Sequence, residues 1–277
     1  MSLSILNNIS SLSAQNQLAM TQSSLNKTLL ALSSGSRINS GADDAAGLAI
    51  ADGLNANITA LTQSARNASD GVGQLQVADG ALSQITALLN RAVTLATESS
   101  TGTVSDTQRT ALNAEFTAIK TEIDTIGQKT TYNGQAIFGA SANLTVYMSD
   151  SSSAGTTSVS VTIGQVDASH LGSTSLASDS LATAGGAQTA LGDINSAIAA
   201  VAALRGTLGA SSNQLQAASS VMNNQIQNLT SAEDGIRAAD IGKESANLSK
   251  FSILTQTGIA ALQQSNQMQQ AVLKLLQ

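Results

Sequence analysis

Residues 54–96 read LNANITALTQSARNASDGVGQLQVADGALSQITALLNRAVTLA and form the longest regular pattern in the sequence. Apolar or small side chains recur there at steps of three and four residues, and Asp79 is the one polar member of the series. Such steps predict a coiled-coil helix, about 65 Å long at 1.5 Å per residue. The series is Leu54, Ile58, Leu61, Ala65, Ala68, Val72, Leu75, Asp79, Leu82, Ile85, Leu89, Val93 and Ala96.

The composition permits helices of this length, because the 277 residues include no proline. A proline inside a helix costs about 3 kcal/mol. Glycine is frequent within the predicted helices, and each one costs roughly 1 kcal/mol relative to alanine. We expect these small residues to let helices approach closely, so that packing stabilises the helices. The glycines are Gly71, Gly73, Gly80, Gly206 and Gly209.

Helical periodicity also appears on both sides of this stretch. Apolar positions from Ile5 to Leu32 predict a helix that ends near Gly35, a residue type suited to a helix C-terminus. On the C-terminal side, helical steps run over residues 191–229 and 241–275, with a break predicted near 231–235. The two terminal helices can therefore pair with each other.

A shorter helix follows the long one. The segment Ser105–Gln108 fits a capping box, and the apolar steps after it predict a helix that ends at Gly127. The three inner helices can then form a bundle.

The period changes from about 3.6 to two after the turn signal Asn133-Gly134. Alternating apolar residues over 144–148 and 159–163 predict a β-hairpin whose long tip is the Ser/Gly/Thr-rich stretch 149–158. Residues 164–186 are predicted to be irregular. The sequence thus predicts a mainly α protein, a long antiparallel helical bundle or coiled coil with one small β-hairpin region.

Composition excludes several kinds of chemistry. Without cysteine there is no disulfide framework, thiolate nucleophile or Cys-ligated metal, and the one histidine, His170, cannot make a two-histidine site. Charged residues are 11% of the chain and the net charge is −6, which argues against a nucleic-acid partner. No run of 18 apolar residues and no basic leader is present, so we expect no membrane insertion and no cleaved signal.

The two ends of the sequence are nearly free of charge. Lys27 is the only charged residue in 1–36, and Lys274 is the only one in 251–277. A solvated helix face normally carries many charges. Ends rich in Leu, Ile, Asn, Gln and Ser are therefore interpreted as surfaces to be buried against other protein, with disordered polar tails as the alternative.

Residue pairs that could suggest a catalytic or metal site have simpler interpretations. Asp43-Asp44 and Glu233-Asp234 are expected to lie at helix starts, where carboxylates interact with the positive helix end. His170 is expected to be a surface residue without an acidic partner. The sequence therefore predicts no enzyme, metal or cofactor. O-linked sugars could attach at the hairpin tip, although a plain flexible tip is the simpler interpretation; the candidates are Ser151, Ser152, Ser153, Thr156 and Thr157.

Three segments resemble the signatures of bacterial flagellin. They are LSSGSRINSGADDAAGLAI at 32–50, NLTSAEDGIR at 228–237 and ALQQSNQ at 261–267. The resemblance runs in order over essentially the whole chain. Two departures stand out, since Gln269 replaces a usual proline and the large variable outer domains are missing.

The resemblance implies a subunit of the bacterial flagellar filament. Such a subunit would pass unfolded through the flagellar type III export apparatus, bind an export chaperone, and assemble as a helical homopolymer beneath the filament cap. It implies two domains: residues 1–44 with 234–277 form the terminal coiled coil of the inner tube, and residues 45–186 with 187–233 form the bundle and hairpin of the outer tube. The protein would be secreted and reside in the flagellum.

Two alternatives remain at this point. A hook–filament junction protein is also helical and paired at its ends, but it should be longer and less similar over Arg37–Ile50. A secreted enzyme or adhesin with flagellin-like ends needs an inserted domain, for which residues 135–186 are too few.

The resemblance also assigns surfaces to the predicted helices. The terminal helices should polymerise through Leu18, Leu25, Leu29, Leu32, Leu248, Leu254 and Leu262. The export chaperone should bind apolar anchors of the C-terminal tail at helical spacing. These anchors are Ile253, Leu254, Ile259, Leu262, Val272 and Leu275.

A stretch of the long helix resembles the part of flagellin that is detected by a Toll-like receptor. Arg91 and Leu95 are four residues apart and are expected on one helix face beside the apolar seam, available to a partner. The same surface is expected to contact neighbouring subunits. The surface consists of Leu88, Asn90, Arg91, Leu95 and Glu115.

Overall fold

The structure is a computed structural model that describes residues 8–139, 143–149, 158–172 and 175–275, with side chains described as far as residue 271. The helices in this part of the chain are α1 (Ile9–Ser34), α2 (Ala45–Ser100), α3 (Asp106–Lys129), α4 (Ala184–Arg237) and α5 (Ile241–Leu275). The strands are β1 (Thr131–Tyr132), β2 (Gln135–Ala136), β3 (Asn143–Tyr147) and β4 (Ser158–Thr162), and a 3₁₀ turn spans Leu176–Ser178.

The predicted fold class is confirmed, because long helices dominate and the strands form two small antiparallel hairpins. The chain divides into a terminal unit, residues 1–56 with 228–277, and a central unit, residues 57–227. Helices α2 and α4 each contribute residues to both units.

In the terminal unit, α1 and α5 pack antiparallel. Asn8 caps α1 by accepting from the Ser11 N–H at 3.0 Å, and its amide donates to Ser265 Oγ at 3.2 Å near the end of α5. A Cβ on Gly258 would lie 3.2 Å from Leu18 Cδ1, so the two helices approach closely there. The seam between them consists of Ser11, Ala14, Leu18, Thr21, Leu25, Thr28 and Leu32 of α1 and Leu248, Phe251, Thr255, Gly258, Leu262, Ser265 and Gln269 of α5.

The segment after α1, residues 35–37, crosses the segment after α4, residues 237–239. Backbone hydrogen bonds join the two segments at this crossing. Gly35 ends α1 with φ 68°, as its predicted C-terminal role requires. The Arg37 N–H donates to the Arg237 carbonyl at 2.7 Å, and the Ala239 N–H donates to the Gly35 carbonyl at 2.9 Å. The predicted break at 231–235 is wrong, since α4 continues to Arg237 and ends at this crossing.

The buried seam of α2 in the central unit lies one residue away from part of the predicted series. Ser64, Gly71, Ala78 and Ala92 are buried where Ala65, Val72, Asp79 and Val93 were predicted, and those four are half-buried. At Gly71 the packing is close, because a Cβ there would lie 2.8 Å from Val146 Cγ2 and 3.2 Å from Leu215 Cδ1. The close contact at position 71 therefore leaves no room for a side chain as large as that of Val72.

The displaced Asp79 lies beside the seam and pairs with Arg205 of α4. The Arg205 Nε and Nη2 donate to the two Asp79 oxygens at 2.7 and 3.2 Å. The glycine prediction is confirmed for Gly71 and is wrong for Gly80, Gly206 and Gly209, where an added Cβ would meet no neighbour within 4 Å.

Helix α3 begins as predicted and ends later than predicted. Ser105 and Gln108 form the capping box, with the Ser105 N–H donating to Gln108 Oε1 at 2.9 Å. Gly127 does not end the helix, which continues to Lys129. It is instead a site of close packing, since a Cβ at Gly127 would overlap the Val166 carbonyl oxygen.

The predicted hairpin is present as β3 and β4, paired with Val146 opposite Val159. Asn133 and Gly134 form the turn between β1 and β2, with φ values of 50° and 76°. The connection from β4 to α4 is mostly irregular, as predicted, but it buries Val166, Ala168, Leu171, Leu176 and Leu181. None of the described helices combines the length and the apolarity that a membrane crossing requires.

Candidate assembly surface

The α1–α5 pair buries few large apolar side chains. Thr21, Thr28, Ala31 and Ser265 are its buried members, whereas the leucines of the seam are half-buried. Leu18, Leu25, Leu32, Leu248 and Leu262, five of the predicted polymerisation residues, lie in this seam within the chain. The other two, Leu29 and Leu254, are 45% and 42% exposed.

A separate apolar stripe follows the outer side of α1. Its residues are between 54% and 74% exposed, and at 100° per residue they fall within an arc of about 80° opposite the seam. The sequence hints at the stripe only through the step of six residues from Leu12 to Leu18. This step does not keep to one helix face, because Leu12 lies in the outer stripe and Leu18 lies in the seam. The outer stripe consists of Ile9, Leu12, Met20 and Leu30.

Helix α5 exposes apolar residues around most of its circumference. Ile253 is 63% exposed on the side opposite the seam, and Leu254 and Ile259 flank the seam on its two sides. Ile241 and Met268 are also more than half exposed. A helix that is apolar all round is normally buried in protein. The α1–α5 pair within one chain therefore leaves apolar residues exposed on the other sides of α5.

The predicted chaperone anchors also include both exposed residues and a residue of the seam. Ile253, Leu254 and Ile259 are exposed, whereas Leu262 lies in the seam. The side chains of Val272 and Leu275 and the hairpin-tip residues Ser151, Ser152, Ser153, Thr156 and Thr157 lie outside the described part of the structure.

An ion pair on the surface of the central unit joins α2 to α3. Arg91 Nε donates to Glu115 Oε1 at 2.7 Å, and Arg91 Nη2 donates to Oε2 at 3.1 Å. These hydrogen bonds raise the pKa of Arg91 and lower the pKa of Glu115. Both side chains are about half exposed, so the pair is accessible.

The neighbours of Arg91 differ in accessibility. Asn90 is exposed and Leu88 is half-buried. The prediction that Leu95 lies on an accessible face is wrong, because this side chain is only 1% exposed. The one-residue shift of the seam explains the error, since Leu95 then lies next to the buried Ala92 and Ala96.

The remaining candidate residues have structural partners. The prediction for Glu233-Asp234 is wrong, because this pair lies near the C-terminal end of α4, where Glu233 Oε1 is 3.4 Å from Arg237 Nη1. Asp43 accepts from the Ser40 N–H and Oγ at 3.1 and 2.9 Å and from Lys27 Nζ at 3.2 Å, and Asp44 accepts from the Gly47 N–H at 2.9 Å. His170 does have an acidic neighbour, contrary to prediction, because its Nδ1 lies 2.7 Å from Asp167 Oδ1 within a local turn.

The central unit also contains an open cavity. Its volume is about 1010 Å³, and it lies between α2 and the two hairpins, where Asp70, Gln74 and Asn143 are among the lining residues. Within the described residues, no three acidic or histidine side chains come together as a metal site would require.

Comparison with known proteins identifies the family. The model of the bacterial flagellin N-terminal helical region matches residues 5–143, and that of the C-terminal helical region matches residues 191–276. A flagellin of Halalkalibacterium halodurans is 35% identical over 97% of this chain and 98% of its own. A flagellar filament 33 kDa core protein of Treponema phagedenis is 33% identical over 97% and 98%. The crystal structure of Bacillus cereus flagellin is 28% identical, covers 61% of this chain and 94% of its own, and has a TM-score of 0.48.

Paired chain ends, uncovered apolar helices and these relatives define a structural, filament-forming protein rather than an enzyme. The chain belongs to the bacterial flagellins. It is a structural subunit of the flagellar filament, which lies outside the cell, and the relatives do not favour the hook–filament junction alternative.

Proposed function

We propose that copies of this chain polymerise through the outer stripe of α1 and the uncovered apolar faces of α5. The observation that carries this proposal is the exposure of Ile9, Leu12 and Met20 on the side of α1 that does not contact α5. Full burial of such a side chain contributes about 1.5–3 kcal/mol. The seam leucines, in contrast, serve the pairing of α1 with α5 within each subunit.

This assignment extends to the domains implied by the resemblance. Residues 1–44 with 234–277 would form the inner tube, and residues 45–186 with 187–233 would form the outer tube. Sparse charge supports an inner position for the terminal helices, since Lys27 is the only charged residue of α1. Contacts among such surfaces would depend on apolar burial and would change little with salt.

Substitution of the stripe tests the proposal. Met20→Asn and Leu30→Asn should each raise the critical concentration for polymerisation about 30-fold, the equivalent of about 2 kcal/mol. Sedimentation of filaments from purified monomer measures this concentration, and Gln22→Ser, an exposed polar change on the same helix, is the control. Polymerisation of both stripe variants at the wild-type concentration would contradict the assignment.

We also propose that the subunit is exported through the flagellar type III apparatus and assembles beneath the filament cap. An export chaperone binds its C-terminal tail. The exposure of Ile253 and Ile259 supports this role. Neither residue lies in the α1–α5 seam, so both remain available for apolar contacts with a chaperone.

Chaperone binding can be separated from folding by the choice of residue. Ile253→Asn with Ile259→Asn should weaken chaperone binding, because each change removes an apolar anchor and leaves the seam intact. Titration calorimetry with purified chaperone measures the affinity, and Gln256→Asn with Gln263→Asn is the matched control. Unchanged binding by the Ile double variant would place the chaperone site elsewhere in the chain.

The Arg91–Glu115 pair supports a third proposal, recognition by the flagellin-sensing Toll-like receptor. The surface now consists of Arg91, Glu115, Asn90 and Leu88, without the buried Leu95. Arginine is a frequent hot spot at interfaces, where its removal can cost about 2 kcal/mol or more.

A monomer receptor-binding assay tests this surface. Arg91→Ala should weaken binding about 30-fold, and Arg66→Ala, an exposed arginine on the same helix, should leave it unchanged. If wild type does not bind, or if Arg91→Ala binds equally well, the pair serves only structure or assembly.

A further inference from the structure

Helices α2 and α3 both hold the backbone of Leu181, shortly before α4 begins at Ala184. Asn113 Oδ1 of α3 accepts from the Leu181 N–H at 2.7 Å. Ser99 Oγ, near the end of α2, donates to the Leu181 carbonyl at 2.6 Å. Leu181 and Ser99 are each 0% exposed, so the bond between them is shielded from water. Ser99 and Asn113 together form the Leu181 clamp.

The buried Arg109 of α3 fixes the Ser99 side of the clamp. Its Nε donates to the Ser99 carbonyl and its Nη2 to the Thr101 carbonyl, both at 2.9 Å. Arg109 therefore satisfies carbonyls that the end of α2 would otherwise leave unpaired. Asn113 lies one turn after Arg109 on the same face of α3. The end of α2, the start of α3 and the segment before α4 are thereby joined in a closed ring of contacts.

The Asn113 side of the clamp belongs to a polar stripe of α3 that holds backbone groups of the connection from β4 to α4. Asp124 accepts from the Ala168 N–H at 2.7 Å, and Lys120 Nζ donates to the Asp179 carbonyl at 2.8 Å. At 100° per residue, the members of the stripe fall within an arc of about 40°. The stripe consists of Asn113, Lys120 and Asp124.

The clamp lies directly before the N-terminal cap of α4. Thr183 Oγ1 accepts from the Gly186 N–H at 3.1 Å, and the Thr183 carbonyl accepts from the Ala187 N–H at 2.9 Å. Only Ala182 separates this cap from Leu181, so a shift of the Leu181 backbone moves the cap with it. We propose that the Leu181 clamp determines where α4 begins, and that the clamp and the first turn of α4 open as one unit.

The starting point of α4 matters for the central unit, because α4 packs along α2. Arg205 Nε donates to Asp79 Oδ1 at 2.7 Å, and Leu215 lies beside Gly71. A slip of α4 by one residue would turn its side chains by about 100° and would separate both pairs. Apolar burial is non-directional, so the directional hydrogen bonds at Leu181 add a constraint on register that leucine packing does not supply.

Hydrogen exchange on the full-length monomer, followed by NMR, tests the clamp. In the wild type, the Leu181 and Ala187 amides should share one opening constant, larger than that of the buried Ile194 further along α4. Asn113→Leu removes the acceptor and should raise both constants about tenfold, the equivalent of about 1.4 kcal/mol. Ser99→Ala should act similarly. The double variant should show less than the product of the two effects, because both bonds hold the same stretch of backbone.

Asn113→Asp distinguishes the clamp from simple packing. A carboxylate accepts the Leu181 N–H as the amide oxygen does, so this variant should stay near the wild type, as should the controls Thr117→Ala on α3 and Ser100→Ala on α2. Unchanged exchange in Asn113→Leu and Ser99→Ala, or equal opening of Asn113→Asp and Asn113→Leu, would overturn the clamp. Different wild-type opening constants at Leu181 and Ala187 would also overturn it, and this comparison needs no variant to fold.

Discussion

Two helical glycines, Gly80 and Gly127, lie in opposite environments. An added Cβ at Gly80 of α2 meets nothing within 4 Å, whereas one at Gly127 of α3 overlaps the Val166 carbonyl oxygen. Gly80→Ala should therefore stabilise the central unit by about 0.5–1 kcal/mol through helix propensity. Gly127→Ala should destabilise it by about 1–3 kcal/mol, since the overlap forces the packed segment to move.

Urea unfolding followed by circular dichroism at 222 nm measures both changes in the free energy of unfolding. The two variants add the same methyl group, so each serves as the control for the other. Equal effects of the two substitutions would show that local packing around Gly127 does not govern the response.

Residue-level features were predictable from sequence where they depend on neighbours in the chain. The capping box at Ser105 and the turn glycine Gly35 are of this kind, because their hydrogen bonds or φ angles involve only adjacent residues. The Asp79–Arg205 pair was not predicted, since its members are 126 residues apart and depend on the register of α2 against α4. Burial of Leu95 was missed for the same reason.

At the scale of elements, the turn between α1 and α2 should weaken in acid. The hydrogen bonds from Ser40, followed by Lys27, lower the pKa of Asp43. A lowered pKa contributes stability that is present above the ordinary value of 3.8 and is lost as the pH falls through the folded-state pKa. Exchange of the Ser40 amide should therefore accelerate in acid, after correction for intrinsic exchange.

Asp43→Asn checks the sign of this effect. The variant should show faster Ser40 exchange than wild type at neutral pH and the same rate below the depressed pKa, where the wild-type carboxyl is also neutral. A difference between the two proteins that stays constant with pH would rule out titration of Asp43 as the cause.

The sequence predicted which segments form helices better than it predicted which face of each helix is buried. The steps from Leu54 to Ala96 predicted α2, since apolar residues at alternating steps of three and four indicate a helix. They did not select the correct face, because buried Gly71 and Ala78 are small and a pattern of hydrophobicity favours the larger Val72. Likewise, α4 continues beyond the predicted break, because the crossing with residues 35–37 determines where it ends.

For the whole molecule, we expect the terminal helices to be mobile in the monomer and ordered in the filament. The α1–α5 pair buries few large apolar side chains, and helices with little tertiary packing are marginal in water. Helix α1 also has only one charged residue to form salt bridges. Hydrogen exchange over residues 1–40 and 240–277 should therefore be fast in the monomer and slow after assembly. Strong protection of both ends in the monomer would contradict this expectation.

A truncated chain should distinguish the role of the terminal unit in polymerisation from the folding of the central unit. Deletion of residues 251–277 should abolish polymerisation, because it removes most of the α5 seam and the exposed Ile253 and Ile259. The unfolding transition of the central unit should persist, since its buried residues lie between positions 57 and 227. Filaments are scored by electron microscopy, and loss of the calorimetric transition would show that the central unit depends on the tail.

The bond between Asn8 and Ser265 joins residues 257 positions apart and has a consequence for the order of folding. Contacts of such sequence separation carry a large loop-closure entropy and form slowly. The central hairpins close much shorter loops and are expected to form first. A chain that ends before α5 would contain a folded central unit and an α1 helix without its partner. The seam between α1 and α5 is therefore expected to close late in folding, and only in a chain that contains both helices.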